Sequence, residues 1–234
     1  GSGGIVITNG DMPRAVQLAT QLAEGYWEKR FELEPQLFKP AEAIQHGLQQ
    51  NGQVALVETA DCCGGGAAGD SVATIHALLD ARLTDRSVAP VVDPVAARLC
   101  HEAGIGHELT LNIGHSVDSK WGSPIEVTGR VTQLTSGVFQ YEGGIWDGRR
   151  GEMGPAAVIQ VGSLQLCVAT HATYEWCGEQ MKSLGVETKD ARFVVAKNPM
   201  NYNMAFPNAQ AIYVLDTPGP TPATLRHAPF SQLQ

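Results

Sequence analysis

Apolar positions along the chain switch between a period near 3.6 and a period of two, and the switches divide it into segments. Ile5-Val6-Ile7 is a short β-branched run closed by the turn signal Asn9-Gly10, which predicts a first strand over 5–8. Asp11 then suits a helix N-cap, with Pro13 tolerated in the first turn. Ala15, Leu18, Ala19, Leu22 and Tyr26 fall on one helical stripe, and Lys29 and Arg30 sit at the end that the helix dipole favours. Pro40 opens a second helix to about Gln50, and Gln53 to Thr59 read as a buried strand. Ser71 to Arg82 read as a helix capped by Asp70 or Ser71, with Val72, Ile75, Leu78 and Leu79 on its stripe. Residues 5–83 therefore read β-α-α-β-loop-α, a pattern that favours parallel strand pairing.

The Val-rich run Val88 to Val92 is followed by Asp93-Pro94, an N-cap and an N1 proline, which opens a short helix ended by Gly104. From His107 the period becomes two. Glu108 to Ile113, Ile125 to Leu134, Val138 to Tyr141, Ala156 to Val161 and Leu164 to Ala169 predict strands separated by glycine-containing turns. Val161-Gly162-Ser163-Leu164 predicts a hairpin, because glycine first in a two-residue loop suits a type II′ turn. The chain then returns to a helix near Trp176 to Leu184 and strands at Phe193 to Ala196 and Ala211 to Leu215. The segment Asp216 to Pro222 is too rich in proline for either regular structure. The predicted class is α/β (α+β overall), with βα units flanking a central antiparallel β region.

Composition narrows the functions. At 234 residues, 43% hydrophobic and 17% charged, the chain can bury a good core or two modest lobes. No apolar stretch approaches the roughly 18 residues of a membrane span, so no membrane partner is expected. A net charge of −8, with Lys and Arg scattered, argues against nucleic acid. Small molecules, peptides or other proteins are the expected partners. The five cysteines (Cys62, Cys63, Cys100, Cys167 and Cys177) are odd in number and form no C-x-x-C pair, as expected for reduced thiols in a cytoplasmic protein. Residues 1–4, beginning Gly1-Ser2-Gly3, read as a tag remnant that runs straight into a strand, and so as the start of a piece of something longer.

The strongest candidate for chemistry is the run from Asp61 to Asp70, which holds Gly64, Gly65 and Gly66 between the buried strand and the helix. Adjacent glycines at a strand-to-helix turn suggest a backbone path that side chains would block, with N–H groups aimed at whatever precedes the helix. Walker-type phosphate binding needs a lysine where Asp70 stands, and Asp61 and Asp70 would repel the pyrophosphate of a dinucleotide. Two carboxylates beside N–H groups suit an amide, an ammonium or a neighbouring domain; equally, the aspartates can satisfy the loop's own amides. Cys62-Cys63, without a partner histidine, reads as packing, and the seven histidines show no zinc-ligand spacing. Lys197-Asn198-Pro199-Met200-Asn201-Tyr202 follows a strand directly, where α/β sheets place ligand groups. Lys197 and Asn201 there are binding candidates or ordinary turn residues in equal measure.

The run Asp61 to Asp70, Asp93-Pro94 with Ala103-Gly104-Ile105-Gly106, Gly122-Ser123-Pro124-Ile125, Lys197 to Tyr202 and Asp216-Thr217-Pro218-Gly219 occur in this order in the microcystinase C (MlrC)-like metallopeptidases, which the chain resembles. The commoner family form has Asn-Pro in place of Cys62-Cys63 and Pro in place of Ala68. The resemblance implies a C-terminal portion: residues 5–69 as the end of an α/β catalytic-type half, and residues 70–234 as the C-terminal domain. It implies a zinc-dependent peptidase or amidohydrolase acting on small linear peptides, with the zinc ligands outside this chain, so that the chain alone is inactive and neither a catalytic residue nor a metal ligand is assigned in it. Asp61, Gly64, Gly65, Gly66, Asp70, Lys197 and Asn201 would form one cleft wall, with Lys197 pairing a substrate carboxylate. The expected partners are the missing N-terminal half, a small peptide or amide and, as a further assembly, a second copy of the chain. The alternative is a non-catalytic module binding a small ligand or a subunit through the glycine loop.

Overall fold

Strand β1 (Val54–Val57) sets the frame: all four residues are buried, and they alternate between two cores. Val54 and Leu56 face one side of the sheet, and Ala55 and Val57 the other. Burial on both faces is what a parallel strand covered by helices requires. The computed structural model describes residues 3–174, 178–224 and 226. The chain divides into two units between Gln36 and Leu37.

In the first unit, helix α1 (Met12–Glu28) starts where the pattern predicts, and the Asp11 carboxylate accepts from the Arg14 amide at 2.9 Å. The expected strand over 5–8 does not form: the segment pairs with no strand, and Ile5 and Ile7 are exposed. A β-branched run stabilises a strand only where a neighbour supplies hydrogen bonds and a packing surface.

The second unit is built on one eight-stranded sheet in the order β10-β1-β9-β2-β8-β7-β4-β3. Strands β10 (Ala211–Val214), β1, β9 (Phe193–Ala196), β2 (Ser87–Val92) and β8 (Leu164–Ala169) are parallel. Strands β7 (Ala156–Val161), β4 (Ile125–Thr135) and β3 (Glu108–Ile113) continue the sheet antiparallel. The antiparallel region, central in the sequence, is thus one edge of the sheet in space. The predicted two-residue hairpin joins β7 to β8, with Gly162 at φ +57°. A pair not expected in full, β5 (Val138–Gln140) with β6 (Arg150–Glu152), forms a separate antiparallel ribbon. Residues 37–69 share the sheet with the rest, because β1 pairs with both β9 and β10.

Helices α2 (Pro40–Leu48), α3 (Ala73–Asp80) and α4 (Pro94–Ala103) cover one face through Ile44, Ile75, Leu78, Ala97 and Cys100. Burial, with Asp93 nearby, pushes the Cys100 thiol up to about 11, so it sits protonated in that core. Helices α5 (Glu179–Ser183) and α6 (Tyr202–Ala205) contribute Met181, Tyr202 and Ala205 to the other core. The expected helix near Trp176 to Leu184 is present as α5, and Trp176 lies outside the described residues. No helix among the described residues is long and apolar enough to cross a membrane.

Two features shape the carboxyl edge of the parallel strands. First, β2 and β9 pair only at Ser87↔Phe193 and Val88↔Val194, while β2 follows β8 on to Val92↔Ala169 and β9 follows β1 to Val57↔Ala196. The sheet therefore splits beyond Val88, next to Pro90, which has no N–H to give to a ladder. Second, the strands flanking the split connect in opposite directions. β2 leaves through α4 toward the β3 edge over one face, and β9 leaves through α6 toward the β10 edge over the other. Such a reversal leaves a crevice at the strand carboxyl ends.

Asp93 closes the end of β2. Its Oδ1 accepts from the Val95 and Ala96 amides at 3.1 and 2.9 Å, capping α4, and its Oδ2 accepts from the Gly114 amide at 2.9 Å. Asp93→Ala is expected to cost about 2–4 kcal/mol, as a lost cap plus a buried amide left unsatisfied. Asp118→Ala, which removes an exposed bond to the Lys120 amide, is expected to cost under about 1 kcal/mol. Urea unfolding of the two variants checks the difference.

Candidate functional site

The end of β1 runs into Glu58-Thr59-Ala60-Asp61, and the end of β9 runs into Lys197; parallel pairing brings the two ends side by side. Lys197 Nζ donates to Asp61 Oδ2 at 2.7 Å and to the Ser71 carbonyl at 2.8 Å, and lies 3.4 Å from Glu58 Oε2. The ammonium and both carboxylates are buried, with the Lys197 side chain only 3% exposed. The remaining acceptor sites are filled: Asp61 takes the Gly69 and Ser71 amides at 2.8 and 2.7 Å, and Glu58 takes the Ser71 and Thr74 hydroxyls at 2.7 and 3.1 Å. Burial opposes the Lys197 charge, yet the adjacent Glu58 and Asp61 outweigh it and hold the lysine above its ordinary range. The three side chains together carry one net negative charge.

This cluster fixes the glycine turn. Cys63–Gly65 form a single 3-10 turn ended by Gly66 at φ +93°. The Gly65 amide donates to the Cys62 carbonyl, the Gly66 amide to the Cys63 carbonyl and the Ala67 amide to the Cys62 carbonyl, at 3.0, 3.0 and 3.1 Å. Gly64, Gly65 and Gly66 are exposed. A Cβ at Gly64 would run into the Tyr174 ring, and one at Gly65 would lie 2.7 Å from the Thr221 methyl carbon. Gly64 and Gly65 are therefore required by close approach and Gly66 by its left-handed backbone, but the amides of Gly65 and Gly66 are spent inside the bend. They are not available to a ligand in this conformation, because a 3-10 turn consumes its own N–H groups.

The other predicted residues separate. Asp70 does not cap α3, which begins at Ala73 with Val72 in the cap position. Its Oδ2 instead accepts from the Val117 and Asp118 amides, both at 2.8 Å, tying the glycine segment to the loop after β3. Asn201 Nδ2 donates to Tyr174 Oη at 2.8 Å, placing Asn201 on the Tyr174 side of the glycine turn. Lys197, expected to pair a substrate carboxylate, is held by Asp61 and Glu58. Sequence reasoning did not single out Glu58 or Tyr174. An acid directly after four buried strand residues was the available signal for Glu58; Tyr174 carries none.

Among the described residues no three His, Cys, Asp or Glu side chains are placed to hold a metal ion. The nearest carboxylate pair, Glu58 with Asp61, has an ammonium where a cation would sit. Among the described residues, this donor set does not fit a resident metal.

An open, largely parallel sheet with helices on both faces and a buried ion cluster at its carboxyl edge defines an α/β domain. The chain matches the MlrC C-terminus family over residues 56–232 and belongs to that family. It is 30% identical over 217 residues to Microcystinase C of a Sphingomonas species, a match that spans 88% of this chain and 40% of that protein. The crystal structure of a protein from Mesorhizobium sp. BNC1, assigned as a metallopeptidase, superposes with a TM-score of 0.82 at 25% identity, over 94% of this chain and 44% of that one. The chain thus spans less than half the length of these relatives.

Lys197→Met is expected to cost about 3–5 kcal/mol, since it leaves two buried carboxylates without their counter-charge. The raised Lys197 pKa gives a second readout. Its contribution is fully present below the ordinary lysine pKa of about 10.4 and is lost as pH rises through the higher folded value. Melting temperature followed into that alkaline range should fall more steeply for the parent chain than for Lys197→Met.

Proposed function

We propose that this chain is the C-terminal portion of a metal-dependent hydrolase acting on small linear peptides or related amides, and that it supplies one wall of the substrate cleft. The metal, zinc by analogy with the family, is held by residues outside the chain, in an N-terminal portion with which this domain pairs. The reading is carried by one observation: the Gly64–Gly66 rim is exposed, carries no side chain of its own, and leads into Gly69 and Ser71, whose amides are held by Asp61 of the Lys197–Asp61–Glu58 cluster. A low-profile backbone edge, open at Gly66 and flanked by Tyr174 and Thr221, lets an extended peptide lie close to the turn. Tyr174 and Asn201, joined by their hydrogen bond, border the same rim and offer an aromatic surface and an amide acceptor to a passing peptide. Lys197 and Asp61 act through the loop they hold, as positioning residues.

Support for the hydrolase class comes from the names carried by the two relatives and from the family match. Support for placing the metal elsewhere comes from the donor set, whose carboxylates are already committed to Lys197 and to amide and hydroxyl donors. The test is metal content and peptide hydrolysis of the purified chain. After loading with zinc and exhaustive dialysis, retained zinc should be far below one per chain, and a linear peptide substrate should stay intact. A version extended at its amino end to the length of the relatives should cleave that peptide and lose the activity with a chelator. Stoichiometric zinc or cleavage in the short chain would overturn the placement.

A further inference from the structure

Among the described residues of the first unit, which ends at Gln36, only Ala15 is buried. Segments below about 40 residues seldom fold on so little burial unless a partner supplies the rest. The unit is not poor in apolar side chains: Met12, Val16, Leu22, Trp27 and Phe31 are all exposed. It has the material for a core and no core.

The pattern at its start is specific. Along residues 3–8 burial alternates: Gly3, Ile5 and Ile7 are exposed, and Gly4, Val6 and Thr8 are half-buried. A period of two is the side-chain alternation of a strand. At Gly4 the half-buried side lies against α1, where a Cβ would run into the Ala19 carbonyl and touch Leu22 Cβ. The run is folded back along the first half of α1 by a turn with Gly10 at φ +82°, and the Thr8 hydroxyl donates to the Asp11 carbonyl at 2.6 Å. The opposite side carries Ile5 and Ile7, 88% and 92% exposed. Among the described residues, no backbone N–H or C=O from Gly4 to Ile7 has a hydrogen-bond partner. Residues 3–28 thus have the form of a strand followed by its covering helix, half of the unit from which parallel sheets are built, with no strand beside it.

We infer that residues 3–36 dock into the N-terminal portion of the protein: residues 5–8 enter its sheet as a parallel strand, α1 covers that strand on one face, and apolar groups of the same portion cover Ile5 and Ile7 on the other. The inference rests on the proposed function for the existence of that portion. The relatives have room for such a sheet, since this chain spans 40% and 44% of their lengths. The MlrC C-terminus match begins at residue 56, beyond this unit. A second copy of the chain fits less well. Pairing two such short runs gives a two-stranded ribbon, which is marginal in water and leaves the outer edge of each run open. The boundary between the portions then falls between Gln36 and Leu37 in place of the 69/70 boundary that the resemblance implies, because β1 belongs to the sheet of the second unit.

The experiment is backbone amide exchange, read by mass spectrometry, on this chain and on the version extended at its amino end to the length of the relatives. In the short chain the amides of residues 5–8 should exchange as in an unstructured peptide. In the extended protein they should slow by about a hundredfold or more, as amides bonded within a sheet do. The Val54–Val57 amides, in a strand paired on both sides, should be protected in both proteins and report that the second unit is folded. Ile7→Lys, at an exposed position, should leave the urea midpoint of the short chain unchanged, and in the extended protein it should cut the protection of residues 5–8 by about tenfold or more. Protection in an extended protein that cleaves no peptide supports the docking and sinks only the activity assigned above. Free exchange at residues 5–8 in the extended protein overturns the docking whether or not the peptide is cleaved. Protection that arises in the short chain as its concentration is raised also overturns it, and identifies a second copy as the occupant.

Discussion

One lysine ammonium, buried between two carboxylates, holds the carboxyl edge of this domain together. Desolvating three charges costs several kcal/mol each, and mutual attraction offsets that only when the leftover hydrogen-bonding sites are also filled. Here they are. Asp61 takes two amides besides the lysine, Glu58 takes two hydroxyls, and Lys197 also reaches the Ser71 carbonyl. The partners come from the ends of β1 and β9, from the glycine segment and from the start of α3. The cluster therefore fixes four chain segments relative to one another, which packing of the small residues in this region would do less specifically.

The same economy governs the other acids at this edge. Asp93 satisfies three amides across α4 and the end of β3, and Asp70 satisfies two in the loop beyond β3. Acidic side chains at strand ends look like metal or substrate ligands when read one at a time. In the folded chain each is committed to backbone N–H groups or to Lys197, and this removes them from the pool of metal donors. An exposed neutral rim of glycine is what remains on the outside.

How much of this the sequence could reveal depends on the range of the interaction. The elements rest on local periodicity and caps, so β3, β4, β7, β8, β9 and the Asp93-Pro94 start of α4 are legible to within a residue or two. Ile5–Ile7 has the pattern of a strand and lacks a neighbour, which no local pattern reports. At the site, the glycine motif and the strand-end position of Lys197 are legible because both are local. The pairing of Lys197 with Asp61, 136 positions away, is not, because it depends on β1 and β9 becoming neighbours. Asp70 misleads for the same reason: its position before α3 suggests a cap, while its real partners follow β3. The split beside Pro90 needs sheet order as well as sequence, although a proline inside a Val-rich strand is a visible hint.

Lys197 stands at the meeting of two surfaces, since it anchors the glycine turn and also lines a cavity between β2 and β9. Its charge is spent on both sides of that position, so neither surface gains a cation from it. The rim offers backbone shape and the cavity offers mostly apolar volume. Bond cleavage needs concentrated charge or a metal to stabilise the transition state, and among the described residues neither the rim nor the cavity supplies one. Under the proposed reading the two tasks are therefore divided between portions of the protein: charge for the reaction on the other portion, and the contour that selects and aligns the peptide on this one. Under that reading, the hydrogen bonds that commit Asp61, Asp70 and Asp93 internally keep these carboxylates from competing for the metal held opposite.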